Sequence, residues 1–327
     1  MQRPSRRTAI LALAGATIAV AAPARAQDTS GYPARPIRFV IPTPPGGAMD
    51  GTARMIADKL AVAWNQPVIV DNRAGGNGAI AYGGVAKAAP DGYTVLLSLS
   101  SLVQTALLSK SPSYSLQELT PVTVVAMLPN GFAVGKNVPA NTVQQFVEWA
   151  RTQKNGVDYG SSGAGSSGNI MGGTLAQAAG VNLLHVPFKG EAPGIQAVVG
   201  GHMAAMFGAT GSLAAQAKAG HMKLLAIALP RRLKDFPEVP TFAEAGYANV
   251  NLSGWSIAAV PAGTPKPIVD KLATEITRIV QLPEVSERIN GYGFVPEGGT
   301  PEAARNFLGE EIMRWGSAIK AAGITPQ

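Results

Sequence analysis

The sequence has no cysteine, only three histidines and 14% charged residues, and each scarcity closes off a class of chemistry. Without thiols there is no disulfide, cysteine nucleophile or thiolate metal site, a composition that an oxidising compartment tolerates. His185, His202 and His221 are not spaced as a metal set, and no local signature ties any of them to a serine nucleophile. No serine sits in a G-x-S-x-G elbow. No run of Lys and Arg is interleaved with aromatics, as a nucleic-acid groove requires. Arg231, Arg232 and Lys234 form the densest basic patch and read as a solvated loop.

Long apolar runs are scarce too. One uncharged stretch, Thr8 to Ala24, follows Arg3, Arg6 and Arg7 and ends at Ala24-Arg25-Ala26, a small-x-small cleavage pattern. It is short, rich in alanine and followed by no stop-transfer pattern, so it reads as a signal peptide cut after Ala26, by a Sec or a twin-arginine route. Cleavage leaves 23 basic and 20 acidic residues, so the formal charge falls from +7 to 23 − 20 = +3. The basic balance therefore says little about nucleic acid. About 300 mature residues are long for one core and natural for two domains.

Glycine and proline are plentiful; two loops concentrate glycine, and the first of them proline as well. Pro42 to Gly47 joins a short apolar run, Ile37 to Ile41, to a stretch in which Met49, Ala53, Ile56, Ala57, Leu60 and Trp64 fall at helical spacing. Glycines turn the chain sharply and expose N–H groups, and a helix start adds unpaired donors and the positive end of its dipole. Asp50 complements that dipole and is read as structural, since a carboxylate facing an anionic ligand repels it. The second loop, Ser161 to Asn169, leads from a strand into a helix bearing Ile170, Met171 and Leu175. Two such loops a domain apart outline a cleft for an anion.

Along the chain, strands at 37–42, 68–70 and 94–99 alternate with helices from Met49 and from about Ala79 to Ala88, a βαβαβ half for which a parallel sheet is the default. An extended segment broken at Pro129-Asn130-Gly131 leaves this block. The second block has helices at 142–152, from Ser166 and at 191–199, and strands at 157–161, 185–188, 204–207 and 224–229. Trp255 to Val260 opens a last block with two amphipathic helices, which folds back on the first. Gly163-x-Gly165-x-x-Gly168, with Glu191 as a ribose acid, formally matches a dinucleotide fingerprint; the match is weak, because it lies mid-chain among serines in an exported protein. His185 reads as a strand or core histidine. Trp255 and Phe188 read as packing residues. Lys189 is either a solvated strand end or a cleft-rim charge that attracts anions.

Further stretches carry a resemblance: Tyr32-Pro33-Ala34-Arg35-Pro36-Ile37, Asp71 to Gly76, Ala89 to Thr94, His185 to Gly190, Pro240 to Gly246, Pro261 to Pro265 and Trp315 to Ile324. With the two glycine loops, and in this order over the whole mature chain, they resemble the Bug (TctC-like) periplasmic receptors of tripartite tricarboxylate transporters. The resemblance implies a two-domain α/β periplasmic binding protein of type II, each domain a mainly parallel sheet flanked by helices. Residues 27–129 with 251–327 would form one domain and 130–250 the other. It further implies a monomeric, non-enzymatic receptor without cofactor or metal, in the periplasm, holding a small mono- or dicarboxylate, aromatic ones included, for membrane transporter subunits. A receptor serving a signalling partner and an exported hydrolase are the alternatives. The implied ligand contacts are Thr43, Pro44, Pro45, Gly46, Gly47, Ser161, Ser162, Gly163, Gly165, Ser166, Asn169, Lys189 and Gly208.

Departures from the family pattern bear on the ligand. Thr43 replaces a common aromatic, Asn169 a common histidine, Gly173 a glutamate and Gly208 a frequent aspartate, and glycine at 208 leaves less reason to expect an ammonium group on the ligand. Gly47→Val is expected to clash or to forbid the required dihedrals, and a dicarboxylate gripped by both loops is expected to close the cleft about hinges at 129–131 and near 250.

Overall fold

A computed structural model of the chain describes residues 31–326, so the leader and its cleavage point lie outside the described residues. The first block runs β1 (Ile37–Ile41), α1 (Ala48–Trp64), β2 (Val68–Asn72), α2 (Ala79–Ala86), β3 (Thr94–Leu97), α3 (Ser101–Leu108) and β4 (Leu119–Leu128). The second runs β5 (Asn130–Gly135), α4 (Val143–Thr152), β6 (Val157–Ser161), α5 (Ser167–Ala179), β7 (Leu183–Pro187), α6 (Glu191–Val199), β8 (Ala205–Ala209), α7 (Thr210–Lys218) and β9 (Met222–Ala228). The chain then returns through β10 (Gly254–Pro261), α8 (Lys266–Val280), α9 (Pro283–Gly291), β11 (Val295–Pro296) and α10 (Pro301–Ala321).

Local chemistry accounts for most of these elements. β1 buries four of its five side chains, as a central strand must. α1 buries Met49, Ala53, Ile56, Ala57 and Leu60, one stripe at helical spacing. Thr142 caps α4 by accepting Gln145 N–H at 3.1 Å, and Thr300 caps α10 by accepting Ala303 N–H at 3.2 Å.

The strands make two sheets, one ordered β11-β4-β10-β3-β1-β2 and the other β7-β6-β8-β5-β9. β1 pairs in parallel with β2 and β3, and β6 with β7 and β8, as alternating βαβ units dictate. The strands that carry the chain between sheets pair antiparallel instead: β10 with β3 and β4, β11 with β4, and β5 with β8 and β9. Each sheet is therefore mixed rather than mainly parallel, because strands of outgoing and returning chain lie side by side.

The returning segment inserts β10 between β3 and β4, and it carries three helices where two were expected. Its last helix spans both halves. Trp255 on β10 and Trp315 on α10 are fully buried, and both indole N–H groups donate to Glu311 Oε2, at 2.7 and 3.0 Å. At its far end α10 meets α5, where a Cβ on Gly173 would stand 2.7 Å from Ala322 Cβ. No helix among the described residues is long and apolar enough to cross a membrane.

Candidate functional site

Each sheet has one strand at which the order of connection reverses. β1 leads through α1 to β2 on one side while β3 lies on its other side, and β6 stands in the same way between β7 and β8. The crevice outside the carboxyl end of such a strand is where open α/β sheets hold ligands. Both glycine loops leave these two strands.

The loops are built alike. Gly46 and Gly165 take φ of +90° and +71°, and each donates its N–H to a side chain four residues on: Gly46 to Asp50 Oδ2 at 2.9 Å, Gly165 to Asn169 Oδ1 at 3.0 Å. The next residue, Gly47 or Ser166, is the N-cap of α1 or α5. They differ in charge. Asp50 is buried and takes hydrogen bonds from Arg54 Nε at 3.0 Å and Asn72 Nδ2 at 2.9 Å. Arg54 foremost, with the Gly46 N–H and Asn72, outweighs burial and lowers its carboxyl to about 2. The positive end of α1 thus already faces a fixed negative charge, whereas that of α5 faces a neutral amide. α5 is the better seat for an anion.

Around α5 the hydroxyls are chained. Ser166 Oγ donates to Gly163 O at 2.7 Å and accepts Asn169 N–H at 3.3 Å, while Ser161 Oγ lies 2.7 Å from His185 Nε2. The serine and histidine do not form a hydrolytic pair: Ser161 is wholly buried, and no carboxylate hydrogen-bonds the imidazole among the described residues. Burial lowers the His185 pKa below its ordinary value.

The structure gathers the second-loop residues with the end of β7 and the start of α6, through Phe188 N–H to Ser161 O at 3.1 Å and Gly190 N–H to Ser162 O at 3.3 Å. Gly168 packs so tightly that a Cβ there would stand 2.5 Å from Phe207 O, next to Gly208. In the first loop, Pro44, Pro45, Gly46 and Gly47 are exposed, and Thr43 Oγ1 is buried without a partner. Lys189 is exposed and joins no ion pair or hydrogen bond among the described residues.

The expectation for Gly47 is corrected. Its φ of −84° and ψ of 173° suit any residue, and a Cβ there meets nothing within 4 Å; the positive φ belongs to Gly46. The reasoning from Gly208 is corrected too, because the carboxylate of Glu191 stands beside it: a Cβ on Gly208 would lie 3.2 Å from Glu191 Oε1.

Three groups at the site escaped the sequence reading. Gln104, buried on α3, donates to Ser167 Oγ at 3.0 Å and so links the two halves, with Leu108 packed beside Gly165. Tyr292 covers Gly51 in the first turn of α1, and Gly293 Cα is 3.5 Å from a Cβ on Gly211 in the first turn of α7. Glu191, weighed only as a ribose acid, accepts Ala209 N–H at 2.7 Å. A Gln in a serine run and a Tyr between glycines give no pattern signal.

The family model described as "Tripartite tricarboxylate transporter family receptor" (TctC) matches residues 52–324. The chain belongs to this family. TctC-family proteins are substrate-binding receptors of the periplasm rather than enzymes. Among curated relatives, the chain is 33% identical to protein BugT of Bordetella pertussis over 322 residues, 98% of each chain. Among solved structures, the periplasmic binding protein BugD aligns over 90% of this chain and all of its own, at 30% identity and a TM-score of 0.73. R. palustris Rpa4515, solved with adipate, aligns over the same shares at 30% identity and a TM-score of 0.77.

Proposed function

We propose that this chain is a periplasmic receptor that holds a small carboxylate between its two glycine loops and delivers it to a membrane transporter of the tripartite tricarboxylate type. The observation that carries the reading is the doubled switch point: both sheets present a glycine loop and a helix N-terminus at the carboxyl end of the strand where a ligand crevice forms. The adipate in Rpa4515 supports a carboxylate as the ligand. Residues 27–129 with 251–327 form one lobe and 130–250 the other, with chain crossings at Pro129 and near 250 as hinges; α10, packed on α5, adds a third tie between the lobes.

In this reading the ligand carboxylate sits on the amides and hydroxyls of Ser162 to Ser166, the first loop closes over the other end of the ligand, and Lys189 stands at the rim. Export removes residues 1–26, so the mature protein begins at Gln27, which intact mass checks. The functional test is uptake. Cells lacking this chain should lose uptake of the carboxylate that raises its melting temperature, and wild type but not Gly47→Val should restore it. Undiminished uptake without the chain would overturn the transport role.

A further inference from the structure

Glu191 is the first residue of α6, and its carboxylate reaches over Gly208 onto the first turn of α7. It accepts the Ala209 N–H at 2.7 Å, so one fixed anion already occupies the positive end of that helix. The surroundings are otherwise apolar: Met206 Cε would lie 3.6 Å from a Cβ on Gly208, and Phe188 and Met206 pack together against Gly194 of α6. Glu191 joins none of the ion pairs of the described residues, and Lys189, two positions before it, is exposed. Burial accordingly raises its carboxyl pKa above the ordinary value. Asp50 differs in this respect, because Arg54 pairs with it.

A carboxylate without a cation, held beside the loop that seats an anion, sorts ligands by charge. It repels a second carboxylate and attracts a positively charged nitrogen. We infer that Glu191 determines the specificity of the cleft, selecting small carboxylates that carry a cationic nitrogen and refusing dicarboxylates at this end. The inference rests on the reading of the cleft as a carboxylate site. It reverses the expectation from Gly208, since the carboxylate is not absent from this end of the cleft but is supplied from α6.

Glu191→Gln tests it, because the amide oxygen still accepts the Ala209 N–H while the charge is lost. The probes are matched in length: glycine against malonate, β-alanine against succinate, and 4-aminobutyrate against glutarate, read by thermal shift and calorimetry. Wild type should bind at least one amino carboxylate more tightly than its dicarboxylate partner. In E191Q that preference should fall by about tenfold or more, the loss of one charge-assisted contact. The same selectivity in both proteins, or a wild-type preference for dicarboxylates, overturns the inference while leaving the carboxylate site standing. Binding of no carboxylate by a normally folded wild type overturns both. If E191Q does not fold, Glu191→Asp, which withdraws the charge by one methylene, must weaken the preference for the nitrogen, and unchanged selectivity there refutes it equally.

Discussion

Gly46→Ala and Gly47→Val separate two roles that a glycine pair can play in a binding loop. Gly46 holds φ at +90°, and a Cβ there meets no atom within 4 Å, so the cost of alanine lies in the backbone alone. A non-glycine residue in the left-handed region costs about 1–2 kcal/mol. At about 2–4 °C per kcal/mol for a chain of this order of size, the melting temperature should fall by about 2–8 °C. Gly47 is extended and open, so valine brings no backbone strain and should cost about 1 kcal/mol at most, as a weaker N-cap than glycine. Its isopropyl group enters the space that the exposed loop faces. Gly47→Val should therefore melt close to wild type yet lose the stabilisation given by a carboxylate, and Gly46→Ala should melt lower while keeping it. Scanning fluorimetry with and without ligand reads both. The reasoning fails if Gly47→Val melts below Gly46→Ala, or if its ligand-induced shift equals that of wild type.

Ser166→Ala removes the cap on α5 and the brace to Gly163 O; unfolding free energy should drop by about 1 kcal/mol, and carboxylate affinity should fall by about tenfold or more, both measurable by denaturant titration and calorimetry. Glu311→Gln should show its effect through pH. Burial raises the Glu311 pKa against the opposing pull of Arg314 and the two indoles, so the folded state holds this proton more tightly than the unfolded chain does. The stability it contributes is full below the unfolded value near 4.5 and is lost as pH rises through the folded value. The melting temperature of wild type minus that of E311Q should therefore decrease from pH 4 to pH 7, and an increase would contradict the assignment.

Much of the frame was legible because its signals are local. The apolar run at Ile37, the helical stripe from Met49 and the turn through Ser161 to Ser166 each specify an element without help from the rest of the chain. α3 was not legible, because Ser101–Leu108 is short and lies within a serine-rich run that reads as loop. α7, Thr210–Lys218, is rich in alanine and carries little periodicity. The mixed pairing followed from β10 entering between β3 and β4 in one sheet and β5 between β8 and β9 in the other, which periodicity does not encode. Within the site, both glycine loops were found from composition, yet the sequence could not say which of Gly46 and Gly47 takes the positive φ. Glu191 was beyond reach for a different reason. That it fills the space beside Gly208 depends on how α6 docks on β8, a relation between distant positions that leaves no local pattern.

The central claim is that this cleft binds small carboxylates. Its most direct measurement is a thermal-shift screen of the purified mature chain against mono-, di-, tri- and amino carboxylates, each beside its uncharged amide. At about 100 times its Kd a ligand adds about 2.7 kcal/mol, so at least one carboxylate should raise the melting temperature by several degrees while its amide does not. Equal shifts from acid and amide, or no shift from any carboxylate, would contradict the account.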